Sequence, residues 1–230
     1  MRLLADIYKT VIVLLFLVLP GALSAQEISE PLNSFSRVKA SNSVKVALVP
    51  SDKYHIEVDG YDKDEVQYEV KGNQLEIRLS WDNVFSDSNT LVTVFFKDLN
   101  EIDANSRSVV TLEEAYEADS MVFSAGEGAN ISARISVDRA TLKATTGGHI
   151  RLDGEAQSQE VRVNTGGLYS GRDFRTEDSD VQIATGGHAD VYVSESCRVN
   201  AKLGGNVSVF GNPKRVDQKS TLGGSISISE

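Results

Sequence analysis

Over the last third of the chain, apolar residues recur two apart on either side of a repeated glycine pair. The pairs are Gly147-Gly148, Gly166-Gly167, Gly186-Gly187, Gly204-Gly205 and Gly223-Gly224, with first glycines 19, 20, 18 and 19 residues apart. Five and three residues before them stand Leu142/Ala144, Val161/Val163, Val181/Ile183 and Val199/Ala201. Two and four residues after them stand Ile150/Leu152, Tyr169/Gly171, Ala189/Val191, Val207/Val209 and Ile226/Ile228. The same offsets fit Gly128-Ala129, between Phe123/Ala125 and Ile131/Ala133, and Arg107-Ser108, between Ile102/Ala104 and Val110/Leu112. Seven consecutive units share one template, and Ser41-Asn42 with Val44 and Val46 is a candidate eighth. A fixed period of this length signals a repeat architecture.

Alternate residues of a strand point the same way, so each unit reads as two short strands with one apolar face. Glycine between them supplies positive φ and lets stacked backbones approach. A unit of 19 residues cannot bury its own face, so units stack. Inward sizes compensate, as Tyr169 precedes Gly171 and Ala189 takes the tyrosine's place one unit later. The predicted fold is all-β, a single-stranded right-handed parallel β-helix of about 19-residue coils. A second turn, exemplified by Asp153-Gly154 and Gly211-Asn212, is expected to close each coil. A β-sandwich is the rival architecture.

Residues 35–100 read as a less regular N-terminal β part, and 101–230 as regular coils of the same domain. Val44, Val46 and Leu48 alternate, as do Ile56 and Val58. Lys71-Gly72-Asn73 separates two alternating runs and predicts a hairpin. Trp81 to Asn89 reads as a loop, and Leu91 to Phe96 as a strand buried on both faces. Asp98–Asn100 and Glu113–Ala118 are the only stretches where a short helical turn fits.

At the N-terminus, Arg2 and Lys9 precede nine unbroken apolar residues, Val11 to Leu19, and then Ala22-Leu23-Ser24-Ala25. This predicts a signal peptide over 1–25, too short to span a membrane, and a polar leader over 26–34. Its removal takes the net charge from −10 to −11, because residues 1–25 hold two basic and one acidic side chain. An acidic exported domain repels phosphate backbones, which argues against nucleic acid. Cys197 is the only cysteine, so no internal disulfide forms. It reads as a small core or turn filler rather than a reactive thiol.

No residue stands out as catalytic, cofactor-binding or metal-binding. His149 and His188 follow glycine pairs two coils apart, roughly 10 Å by strand spacing, too far to share a zinc ion. With His55, they read as exposed histidines. The carboxylates Asp153, Glu155, Asp173, Glu177, Asp178, Asp180, Asp190 and Glu195 lie chiefly at the second turn and read as a solvated face. Adjacent coils could still bring two of them to glycosidase spacing. Trp81 to Phe85 reads as aromatics folded over the core, with sugar stacking as the alternative. Asp217–Ser220 lacks the inward apolar pair and reads as a polar cap, and the last strand, Ser225 to Ser229, as an edge able to join another chain.

Phe35-Ser36-Arg37-Val38, the run Leu91–Phe96 before Leu99 and Ile102, and the Thr-Gly-Gly units together resemble the "putative auto-transporter adhesin, head GIN domain" family of secreted Bacteroidota proteins. The resemblance spans about Phe35 to Glu230. It implies a β-helix in an envelope or secreted protein, periplasmic or extracellular, and supplies no catalytic motif. The expected role is non-enzymatic, binding an envelope or extracellular glycan or protein or serving as a scaffold. The alternatives are a β-helix enzyme acting on acidic polysaccharide and a module that assembles end to end through its strand edges. With no trailing sorting domain in the sequence, release is expected rather than true autotransport.

Overall fold

The computed structural model describes residues 28–80 and 90–229. The expected signal peptide and the Trp81–Asn89 loop lie outside the described residues. The regular part runs through β8 (Glu101–Ala104), β9 (Val109–Leu112), β10 (Tyr116–Ala125), β11 (Asn130–Thr145), β12 (His149–Asn164), β13 (Leu168–Ile183), β14 (His188–Lys202), β15 (Asn206–Phe210), β16 (Arg215–Thr221) and β17 (Ser225–Ile228). Each pairs in parallel with the strand one coil away, which makes a β-solenoid.

The corner of each coil has a fixed conformation. Thr146 and Gly147 both take positive φ, at 51° and 74°. The Gly148 amide donates to the Thr145 carbonyl at 2.9 Å. That is a type I′ turn, whose two central residues must both be left-handed. The same pair of positive φ values recurs at the other six predicted corners, from Ser106-Arg107 to Leu222-Gly223. The eighth corner lies at Asn42-Ser43, two residues later than expected, because Val46 and Leu48 rather than Val44 and Val46 align with Val110 and Leu112. The two glycines therefore have different jobs. Gly147 supplies the positive φ, and a Cβ there would meet nothing nearer than 3.9 Å. Gly148 supplies closeness, since its Cβ would lie 2.2 Å from the Ala125 carbonyl oxygen of the preceding coil.

The inward residues form one continuous core, with Leu142, Val161, Val181, Val199, Ile150, Tyr169, Val191 and Val209 buried. Gly171 makes room for its own coil's Tyr169, because a Cβ there would sit 2.3 Å from the tyrosine oxygen. A further inward column lies beyond the four read from the sequence. Met121, Ala140, Gln159, Ser179, Cys197 and Val216 stack one above another.

The second corner departs from expectation. In β11 to β14 the chain bends within a continuous strand, so Asp153-Gly154 forms no separate turn. Gly154 instead permits contact, since its Cβ would stand 2.0 Å from the Ile135 carbonyl oxygen. Gly211-Asn212 does turn, with φ of 92° and 51°. Register shifts at this corner between β12, β13 and β14 absorb the 20- and 18-residue spacings.

The N-terminal part stacks out of chain order. β2 (Arg37–Ser41) and β3 (Lys45–Pro50) form a coil directly against β8 and β9. β6 (Gln74–Leu79) and β7 (Leu91–Phe96) stack on its other side. β7 buries one face only, because its alternate residues Leu91, Thr93 and Phe95 are exposed or half-buried. Antiparallel strands close this end. β5 (Val66–Lys71) joins β6 through the predicted Gly72-Asn73 hairpin, and β4 (His55–Asp59) joins β7. Part of the expected polar leader is β1 (Ile28–Pro31), paired with β4. The only helical turn among the described residues is Lys63–Glu65, not either stretch expected.

Candidate functional site

The bend of β10 to β14 leaves a trough along the outside of the solenoid, of about 790 Å3. Two outward rows wall it. The first follows the strand register as Glu117, Ser136, Glu155, Arg175 and Tyr192. The second, two residues further along each coil, is Asp119, Asp138, Gln157, Glu177 and Ser194. Between them the inward residues Ala118, Val137, Ala156 and Thr176 present small side chains and backbone as the floor. Residues two apart on a strand are about 7 Å apart, and successive coils about 4.8 Å. The trough is thus a ruled track of regularly spaced side chains.

Five of the ten wall residues are carboxylates, all exposed. Among the described residues none of the five joins an ion pair, although Gln157 donates to Asp138 at 3.3 Å. Arg175 is the only cation among the trough's described lining residues, and its guanidinium sits 5.6 Å from the centre of the Tyr192 ring. The field in the trough is therefore negative.

Beneath the floor lies a buried polar chain. Tyr169 donates to Gln159 Oε1 at 2.8 Å, Gln159 Nε2 donates to Thr176 Oγ1 at 3.0 Å, and Thr176 donates to the Tyr192 carbonyl at 2.7 Å. Ser179 completes the set at 3.1 Å from Thr176. Burial pushes the Tyr169 phenol well above its usual range. Each buried polar atom in this chain has a partner, which ties three coils together under the track.

The structure separates the other sequence candidates. Of the eight carboxylates singled out, Glu155 and Glu177 line the trough, whereas Asp153 and Asp173 do not. Asp178 and Asp180 flank a smaller hollow of about 260 Å3, where Asp180 pairs with Arg198 at 3.1 Å. Asp190 meets His188 at 3.1 Å, and Glu195 meets Lys214 at 2.6 Å. His149 Nε2 lies 3.0 Å from Ser170 Oγ, with its pKa lowered by burial and then by Arg151. His55 Nε2 lies 2.8 Å from Ser29 Oγ. Among the described residues, no three His, Cys, Asp or Glu side chains converge as metal ligands would. Cys197 is buried in the inward column, its thiol pushed up to about 11 by burial and then by the Asp180 charge. Glu117, Asp119 and Asp138 were not singled out in the sequence. The signal for them was present as acids repeating at one coil position.

A model of the family described as "Putative auto-transporter adhesin, head GIN domain" matches residues 34–213. Among solved structures, a "putative adhesin" from Bacteroides fragilis is similar at TM-score 0.78 and 17% identity, covering 90% of this chain and 98% of its own. A "putative adhesin" from Parabacteroides distasonis is similar at TM-score 0.71 and 16% identity, covering 89% and 96%. A "Putative lipid binding protein" from Parabacteroides distasonis follows at TM-score 0.67 and 16% identity, covering 89% and 96%. At these identities the likeness concerns the fold. Nothing among curated proteins matches the chain.

Proposed function

The chain belongs to the family of the "Putative auto-transporter adhesin, head GIN domain", and from that premise we propose that it is an exported, non-enzymatic binding protein of the cell envelope whose trough takes an extended, basic segment of a partner protein. The observation that carries this reading is the pairing of a concave track with five exposed carboxylates that form no ion pair among the described residues, against one guanidinium in the lining. An extended peptide points alternate side chains to opposite sides, so one lying along the trough presents basic side chains to both acidic rows. Regular, fixed acids raise the local concentration of a basic ligand and speed its capture. Export rests on the apolar stretch Val11–Leu19 and the small residues after it. No helix among the described residues is long and apolar enough to cross a membrane.

The same field weighs against the acidic-polysaccharide enzyme. A uronate chain in this trough would face five carboxylates and a single guanidinium. Calorimetry of the chain with octalysine and with oligogalacturonate tests the proposal. Octalysine should bind, and Asp138→Asn/Glu155→Gln/Glu177→Gln should weaken it at least tenfold. Tighter binding of oligogalacturonate, or release of reducing ends from it, would sink the proposal.

A further inference from the structure

We propose that the solenoid dimerises tail to tail, its C-terminal coil docking on that of a second copy about a two-fold axis. The two ends of the solenoid differ. At the N-terminal end the core is covered, with Ile56, Val58, Leu75 and Leu79 all buried under the antiparallel strands. Its edge strands are guarded as well. β1 carries Pro31, and Tyr68 of β5 donates to Glu30 of β1 at 2.9 Å, which ties the two edges together. At the C-terminal end, among the described residues, β16 pairs only with β14, and β17 only with β15. The inward residues Val216 and Ile226 are half-buried, Ile228 is 48% exposed and Leu222 73%. An open coil with free strand edges is a template for more β-structure.

The sequence of that coil fits its own copy. A two-fold axis through an edge pairs it antiparallel with itself. In β16 an axis at Gln218 sets Asp217, which also lies 3.9 Å from its own Arg198, against the partner's Lys219 and Lys219 against the partner's Asp217, an opposite-charge cross-strand pair on each side. In the last strand, Ser225-Ile226-Ser227-Ile228-Ser229 reads the same in both directions. An axis at Ser227 sets Ile226 against the partner's Ile228 and covers both. Gln218 and Ser227 stand equally far along the chain from the middle of the Leu222-Gly223 turn, so with the two strands facing each other across the core one axis passes through both. The last strand bears none of the charges or prolines that protect an edge. Because the opposite end is closed, association stops at two.

Sedimentation velocity of the chain from micromolar to several hundred micromolar tests this. A monomer–dimer equilibrium with no larger species is the expected result. Lys219→Asp places like charges opposite one another twice and should raise the dissociation constant at least tenfold. The swap Asp217→Lys/Lys219→Asp restores both opposite pairs and should bring the dimer back. Circular dichroism of each variant checks that it is folded. A folded chain that stays monomeric throughout, a dimer indifferent to Lys219→Asp, failure of the folded swap to recover, or growth beyond two would each overturn the proposal.

Discussion

The two glycines of a corner should respond differently to alanine. At Gly148 the added Cβ would stand 2.2 Å from the Ala125 oxygen and 2.4 Å from its carbon. Both are backbone atoms of a hydrogen-bonded coil, so no rotamer change relieves the contact. Reaching even 3.0 Å moves one coil by about 0.8 Å from its neighbour, against bonds such as His149 N–H to Ala129 C=O at 2.8 Å. Overpacking costs about 1–3 kcal/mol, and a weakened cross-coil hydrogen bond adds about 1 kcal/mol. We expect a loss of roughly 2–4 kcal/mol for Gly148→Ala. At Gly147 the space is open, and only the left-handed φ of 74° is strained, at about 1–2 kcal/mol for an L-residue. For a domain of this size each kcal/mol lowers Tm by about 2–4 °C. Thermal melts followed by circular dichroism should therefore show losses of about 4–16 °C for the second glycine against about 2–8 °C for the first. Gly167→Ala and Gly166→Ala repeat the contrast one coil on, with the Ala144 oxygen 2.5 Å away in the first case and nothing within 4 Å in the second. If the first-glycine variants lose as much as the second-glycine variants, close stacking is not what the second glycine supplies.

Three further outcomes follow from the buried groups. Tyr169→Phe removes the donor to Gln159 Oε1 and should cost about 1–3 kcal/mol in urea unfolding, whereas a neutral result would mean that the amide is satisfied elsewhere. Cys197 should resist a thiol reagent at pH 8 while folded and react at once in denaturant, since burial holds its pKa near 11. His149 has its folded pKa below the unfolded value of about 6.5, so the unfolded chain binds more protons between the two. Its contribution is fully present above about pH 6.5 and is lost as pH falls through the folded pKa, so the urea midpoint should drop on acidification more in the native chain than in His149→Asn.

The corners and the four inward columns beside them were legible because glycine and alternation are local signals. All seven corners take the predicted conformation, whereas the eighth lies at Asn42-Ser43, two residues later than its alternation suggested. The stacking order of β2 and β3 was not legible. Their coil matches the template, but its insertion between β6/β7 and β8/β9 depends on the β5–β6 hairpin, and pairing partners leave no mark on a single strand. The polar members of the further inward column, Gln159 and Ser179, looked like surface residues because their apolar requirement is met by hydrogen bonds instead. The trough failed for a similar reason. Repeated acids at one coil position imply a charged stripe, but only the inward bend of the strands makes the stripe concave.

The most direct test of the account is an NMR titration of the isotope-labelled chain with octalysine. The account predicts amide shifts that cluster at 117–119, 136–138, 155–157 and 175–177 and fade with added salt. Shifts centred on the Thr-Gly-Gly corners, or no shifts at millimolar octalysine, would contradict it.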